Sequence, residues 1–412
     1  MTMHKGNLII NDPVYGFINI PRGLLCQIIS HPLFQRLGRI HQLGMASIVY
    51  PGAQHTRKQH SLGACHLMQE TLRGLVEKGH FIFDSEIEAA EAAILLHDVG
   101  HGPYSHVLES VFVKGLTHED LSLAMMERMN EEFRGDLNLA IKIFRDDYPK
   151  HFLHELICSQ LDMDRLDYLC RDSFYTGVIE GNIGAARIIK TLDLVDDRLV
   201  VRHKGIYSVE NYLMARRLMY WQVYLHKTAV GAEQLLRSAL KRAKYLSNKG
   251  IGVFATSSLH YFLYNEITKE NFFASSEPLE KYADLDDSDI VVALKSWARH
   301  PDKVLSMLSS AFIERRLFKT DIYEGEIPHG LLEQLRLRTA ECLGLSYEET
   351  DYFVSVKTIE KEMYTMSSEG IGMLYPDGTV KDVSEVSNIV RSDNNEMSDR
   401  KIYVFYPDFN TL

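Results

Sequence analysis

Four side chains in three separated segments could hold one metal ion. They are His60 in KQHSLG, the adjacent His97 and Asp98 in LLHDVGH, and Asp164 in LDMDRLDY. Two imidazoles and two carboxylates form a mixed nitrogen and oxygen donor set. That set suits Fe, Mn, Zn, Co, Ni or Mg with positions left for water, rather than a closed structural zinc site. An ion so held polarises a phosphoryl oxygen and acidifies its water. Arg57 lies three residues before His60, about one turn away if that stretch is helical, and Arg165 directly follows Asp164. Arginines clamp phosphate oxygens with two donors at once, and histidines pass protons near neutral pH. The chemistry to expect is hydrolysis of a phosphoester.

A His-Asp pair is a weak motif by itself, and at a helix end it could be no more than a cap. LLHDVGHGPYSH says more, because it sets His97, Asp98, His101 and His106 around a Gly-Pro helix break. Asp164 alone reads rather as a solvated carboxylate on a charged helix face, since Asp162, Asp164, Asp167 and Asp172 crowd that segment.

These residues need helices to bring them together, and three helices can converge such side chains in a bundle core. Residues 60–78 and 86–97 carry apolar positions three and four apart. The acidic start of EIEAAEAAILLHD suits the positive end of a helix, and VGHGP should stop it. Residues 151–175 read as a further helix and 208–248 as one long helix rich in Tyr and Arg. Residues 5–20 and 190–207 read as hairpins, the second turning at Asp196-Asp197. From about residue 310 strand-like runs appear (DYFVSV, GIGMLY, KIYVFYP, and 312–325), with a helix over 328–343. The expected fold is mainly α: a helical bundle with short β-hairpins over 1–310, its metal motifs in 36–175, followed by a smaller α+β subdomain over 311–412 that regulates or builds an oligomer. The polar stretch 384–400 reads as mobile.

Composition sets bounds. With 412 residues, 45% apolar and 25% charged, the chain is an ordinary globular one. A net charge of −11 argues against a broad nucleic-acid surface, though local arginines can still bind an anionic small molecule. Five cysteines without a CxxC suggest neither a disulfide framework nor a zinc ribbon, and a reducing cytoplasm is expected. The start MTMHKGNLII lacks the pattern of a leader, and no membrane span is expected.

FQRLGRIHQLG, YPGAQHTRKQHSLG, LLHDVGHGPYSH, LTHEDLS and LDMDRLDYLCRD occur in that order. With them the chain resembles the HD-domain dNTP triphosphohydrolases over residues 7–240 or so. The resemblance implies an HD-domain bundle and a divalent metal on His60, His97, Asp98 and Asp164. It implies His118 as general acid at the leaving oxygen, His101 and His106 beside the phosphates, and Glu109 as a carboxylate orienting a catalytic histidine. Arg57, Arg165 and Arg216 would contact phosphates, and Gln42 and Asp172 the sugar 3′-hydroxyl. Tyr168 would pack on the sugar ring at C2′ and so select deoxyribose. Leu43, Tyr220 and Tyr224 would complete the substrate pocket, Tyr224 at the base. Simple core packing is the other reading of Tyr168, Tyr220 and Tyr224, as is a surface position for His118 and a buried structural one for His106.

The products would be deoxynucleoside and triphosphate. An HD-type nucleotidase, a phosphodiesterase and a non-catalytic nucleotide-sensing module are the alternatives. A homo-oligomer, dimer or tetramer, is also implied. One departure stands out. The vertebrate members bind an activating guanine nucleotide, and the positions that read it are Ser30, Gly38 and Leu8 here, although Gln35 and Arg36 match. A different effector, or none, is expected. Tyr220 replaces a histidine of those members.

Overall fold

The computed structural model describes residues 7–113, 115–362, 364, 370–390 and 398–410. A hairpin opens it, β1 (Leu8–Asp12) against β2 (Gly16–Ile20). Asp12 closes the turn by accepting the N–H groups of Val14 and Tyr15 at 2.9 and 3.1 Å, and Gly16 supplies the positive φ of 77° that the turn needs. The bundle follows. Helix α1 (Arg57–Glu77) starts behind Thr56, whose N–H donates to Gln59 Oε1 at 2.8 Å. Helix α2 (Asp84–Leu96) is buried over almost its whole second half. An amphipathic helix would be exposed on one side; one apolar all round belongs in the middle of a bundle. Its acidic first turn and its stop at the GHGP segment are as the sequence predicts.

Helix α3 (Ser105–Phe112) begins after Tyr104, which holds a left-handed φ of 48°. Helix α4 (His118–Glu132) is capped reciprocally by Thr117 and Asp120. Helix α5 (Met163–Thr176) packs on α1, and α1 packs on α2. The single helix expected over 151–175 is in fact two, a short turn at Phe152–Glu155 and α5. The cause is Asp162: its carboxylate accepts from Ser159 N at 2.8 Å and Arg165 N at 2.7 Å, so it ends the loop and caps α5. Strands β3 (Leu192–Val195) and β4 (Arg198–Arg202) form the second expected hairpin. Asp196 and Asp197 both have positive φ there, 49° and 61°, the requirement of a two-residue turn that follows the strand twist.

The long helix expected over 208–248 is interrupted. Helix α6 (Ile206–Met219) widens into a turn over Tyr220–Tyr224, where Leu225 N donates to Tyr220 O at 2.7 Å, before α7 (Lys227–Asn248) starts. Helices α8 (Asp287–Trp297) and α9 (Lys303–Ile313) pack together, and α9 lies on α7. Because α9 runs to Ile313, the strand expected in 312–325 is only β5 (Lys319–Tyr323). Helix α10 (Leu331–Leu343) and β6 (Ser355–Glu362) come next. Then β7 (Gly372–Leu374) and β8 (Val380–Asp382) leave the C-terminal region to extend the earlier hairpin into a sheet ordered β3-β4-β7-β8, with β4 and β7 parallel. The last strand, β9 (Ser398–Tyr406), sits between β5 and β6, antiparallel to both. The stretch 384–400 includes residues 391–397, which lie outside the described residues. Among the described residues the main apolar core runs from Ile18 to Phe405, and a small second cluster joins Leu335, Val354, Val404 and Tyr406. Among the described residues no helix is long and apolar enough to cross a membrane.

Candidate metal centre and substrate cavity

The first turn of α1, the end of α2 and the first turn of α5 meet at one point. His60 Nε2 lies 3.3 Å from His97 Nε2 and 3.0 Å from Asp164 Oδ1, and His97 Nε2 lies 3.5 Å from the same oxygen. His60 and His97 are buried; Asp164 is half-buried and opens toward the cavity. Asp98 stands at the rim of this group, with Oδ1 at 3.5 Å from His97 Nε2 and Oδ2 at 3.8 Å from His60 Nε2. Arg57 Nη1 donates to Asp98 Oδ2 at 2.7 Å, and His101 Nε2 lies 3.2 Å from Oδ1.

Both imidazoles are held by their far nitrogens. His60 Nδ1 donates to Asp167 Oδ2 at 2.7 Å, and His97 Nδ1 donates to the Ile94 carbonyl at 2.6 Å. That fixes the tautomer and turns each Nε2 lone pair inward, as metal-bound histidines require. Electrostatics agree. Burial disfavours a charged His60, yet hydrogen bonds to Asp164 and Asp167 outweigh it and pull its pKa up to about 10. Burial likewise opposes ionisation of Asp164, but hydrogen bonds from His60 and His97 hold it well below the usual carboxylate range. Asp98 is held low in the same sense by His101, His97 and Arg57. A field that favours a proton on His60 also favours a divalent cation between the two Nε2 atoms. The donors therefore fit the ion.

A cavity of about 370 Å³ opens from this point. Its walls include Gln42, Leu43, Arg57, Asp98, His101, His118, Asp164, Arg165, Tyr168, Asp172, Tyr220 and Tyr224. Thus most residues singled out in the sequence share one space. His101 and His118 stack with ring centres 4.0 Å apart and planes 16° from parallel. Burial, and then the charge of Arg57, push His101 well below the usual histidine range, so it is neutral. His101 Nδ1 meets Ser105 Oγ at 2.7 Å. Arg165 is tethered by Nε to the Ser159 carbonyl at 2.7 Å. Arg216 does not line the cavity: its Nη1 donates to Gln160 Oε1 at 2.9 Å. His106 and Glu109 are placed on α3, but their side chains lie outside the described part of the structure. Of the positions compared with the guanine site, Arg36 is fully buried and donates to the Val99 carbonyl at 2.9 Å, bracing the loop between Asp98 and His101.

Sequence reasoning missed several supports. In the sequence Asp167 is one of a run of acids, but in the structure it holds His60 Nδ1. His55 is buried with Nε2 at 2.7 Å from Asp172 Oδ1, and Tyr224 donates to Asp172 Oδ2 at 2.7 Å, so Asp172 is fixed from two sides. Ser122 receives the N–H of Gly100 and donates to the His97 carbonyl, tying α4 to the loop. The available signal for Asp167 was its place three residues after Asp164, on the same face of α5. His41 and Tyr104 also line the cavity without having been expected there.

Residues 183–253 match the family model described as the HD associated region. An uncharacterised protein of Bacillus subtilis, YwfO, is 33% identical over 97% of this chain and 92% of its own length. The human deoxynucleoside triphosphate triphosphohydrolase SAMHD1 is 30% identical over 59% of this chain, which spans 46% of that enzyme. The crystal structure of a phosphohydrolase from Bacteroides thetaiotaomicron superposes with a TM-score of 0.94 at 56% identity, covering 97% of this chain and 99% of that one.

Proposed function

The chain belongs to the HD-domain family of metal-dependent phosphohydrolases that includes dNTP triphosphohydrolases, and on that premise we propose that it cleaves deoxynucleoside triphosphates to deoxynucleoside and triphosphate. The observation that carries this reading is the spacing on α5. Asp164, Tyr168 and Asp172 follow one another at intervals of four along one helix and face the same cavity. Each step is about 6 Å along the axis. A metal donor, an aromatic ring and a fixed carboxylate therefore stand in a row of the length that a phosphate, a deoxyribose ring and its 3′-hydroxyl would span.

A divalent ion on His60, His97, Asp98 and Asp164 would supply charge neutralisation and an acidified water at the phosphate nearest the sugar. Arg57 and Arg165, both in the cavity wall, grip phosphate oxygens. His118, stacked on neutral His101, gives its proton to the leaving sugar oxygen. Tyr168 closes the C2′ side of the sugar, and Gln42 and Asp172 take the 3′-hydroxyl. Leu43, Tyr220 and Tyr224 wall the base end. His106 and Glu109 would complete the phosphate side, while Arg216, bonded to Gln160 outside the cavity wall, takes no part in this reading. The working form would be a homo-oligomer, with a division of labour between residues 1–310 and 311–412.

Product analysis tests this. The protein with Mn, Mg or Fe is incubated with each dNTP, dNMP and ribonucleotide, and products are separated by chromatography. Deoxynucleoside with intact triphosphate is expected, lost in Asp98→Ala and in metal-chelated samples. Inorganic phosphate from monophosphates would replace this reading with a nucleotidase. No turnover of any substrate, with or without added nucleotide effectors, would leave a sensing module.

A further inference from the structure

The support behind His60 does not end at Asp167. Arg171, one turn further along α5, is completely buried. Its Nε and Nη2 donate to Asp167 Oδ2 and Oδ1 at 2.9 and 3.0 Å. Its Nη1 donates to Asp12 Oδ2 at 2.8 Å. Asp12 is the residue that closes the β1–β2 turn with its other oxygen. Tyr15, from the same turn, lies over the guanidinium with its ring centre 5.6 Å from Cζ. An unbroken chain of charged hydrogen bonds thus runs from the N-terminal hairpin through Asp12, Arg171 and Asp167 to the imidazole that faces the metal position.

Gly63 gives this chain its room. It lies on α1 one turn after His60, and a Cβ built there would stand 2.0 Å from Asp167 Oδ1 and 2.2 Å from Arg171 Nη2. No side chain fits. The glycine of KQHSLG is therefore explained by the passage of the ion pair across α1.

We infer that Asp12 is a positioning residue for the metal centre, and that docking of the N-terminal hairpin sets metal affinity through Arg171 and Asp167. This rests on the reading that His60 holds the metal. Asp167 is shared between a guanidinium and an imidazole, and Asp12 fixes that guanidinium from its other side, so the position of the Asp167 carboxylate behind His60 depends on Asp12. Loss of an outer carboxylate partner weakens metal binding about 10- to 100-fold in such sites. Asp12 is two links further out, so the low end applies.

The test is Mn²⁺ binding by calorimetry on the full chain, with circular dichroism to follow folding. Asp12→Asn keeps an oxygen for the turn and removes the charge facing Arg171; about tenfold weaker Mn²⁺ binding with unchanged helix content is expected. Asp12→Glu keeps the charge and is expected to bind more tightly than Asp12→Asn. His60→Ala is the control for the underlying reading and should lose the site. Loss in His60→Ala with wild-type affinity in Asp12→Asn would overturn the inference alone. Equal weakening in Asp12→Asn and Asp12→Glu would also overturn it, because charge would then be irrelevant. Wild-type affinity in His60→Ala would overturn the metal reading and the inference together.

Discussion

His118 illustrates what a single residue can be asked to do. It sits at the first position of α4, half-buried, with its ring against His101 and Nε2 at 3.1 Å from Glu119 Oε1. It touches no member of the metal cluster among the described contacts. Replacing it should therefore separate proton transfer from metal binding. His118→Ala is expected to lower kcat about 10²- to 10⁴-fold, the usual worth of a general acid, and to leave the Mn²⁺ affinity of the protein unchanged. A parallel loss of metal binding would show that the His101–His118 stack holds the centre together instead. The candidate donors that the structure brings together could be picked out in the sequence because HD motifs put ligand types at a helix break, where few other roles compete. Asp167, Arg171, Asp12 and His55 could not. Each is a buried polar side chain whose meaning depends on a partner more than 100 residues away or on a different helix, and nothing in the local pattern separates it from a solvated one.

At the scale of elements, α2 was the easiest to read. Its run of Ala, Ile and Leu, acidic start and Gly-Pro stop are local facts, and local facts decide it. One residue breaks the pattern. Glu91 is 7% exposed amid that apolar run, with Gln69 Nε2 at 3.4 Å as its partner. Burial pushes its pKa up to about 7. The folded state thus binds a proton more tightly than the unfolded chain does, and the protein loses stability as pH rises from the unfolded carboxylate range to about 7. Glu91→Gln should accordingly be neutral near pH 4.5 and stabilising at pH 8, by at most about 3 kcal/mol. Urea unfolding at the two pH values measures it, and an equal effect at both would refute the assignment. The wide turn at Tyr220–Tyr224 was illegible for the opposite reason. Tyr220 and Tyr224 keep a spacing of four that continues an α-helical pattern, so periodicity cannot register the extra residue. Such turns recur at functional sites, and here both tyrosines face the cavity.

What holds that turn open belongs to the whole molecule. Tyr403 of β9 donates its hydroxyl to the Leu225 carbonyl at 3.0 Å, the residue at which the wide turn ends. Lys401, on the same strand, lies over Trp221 inside the turn, its Nζ 4.0 Å from the ring centre. Nearby, Ser387 donates to Glu210 of α6 at 2.7 Å, and β7 lies beside β4. The C-terminal strands thus grip α6, the turn and the β3–β4 hairpin, and through the turn they reach Tyr224, whose hydroxyl fixes Asp172. No motif in residues 311–412 announced this, because a strand that braces another region through a carbonyl needs only the right length and register. The consequence can be measured. Tyr403→Phe keeps the ring and the core volume and removes one hydrogen bond at the turn. A net hydrogen bond contributes about 0.5–1.5 kcal/mol. If the turn presents Tyr224 to the nucleotide, that amount should appear as a rise in KM for dNTPs of about two- to tenfold, with kcat and Mn²⁺ affinity little changed, since the proposed metal donors stand on α1, just past the end of α2 and on α5. A variant that loses thermal stability but keeps the wild-type KM would confine β9 to a structural role and detach the C-terminal region from substrate recognition.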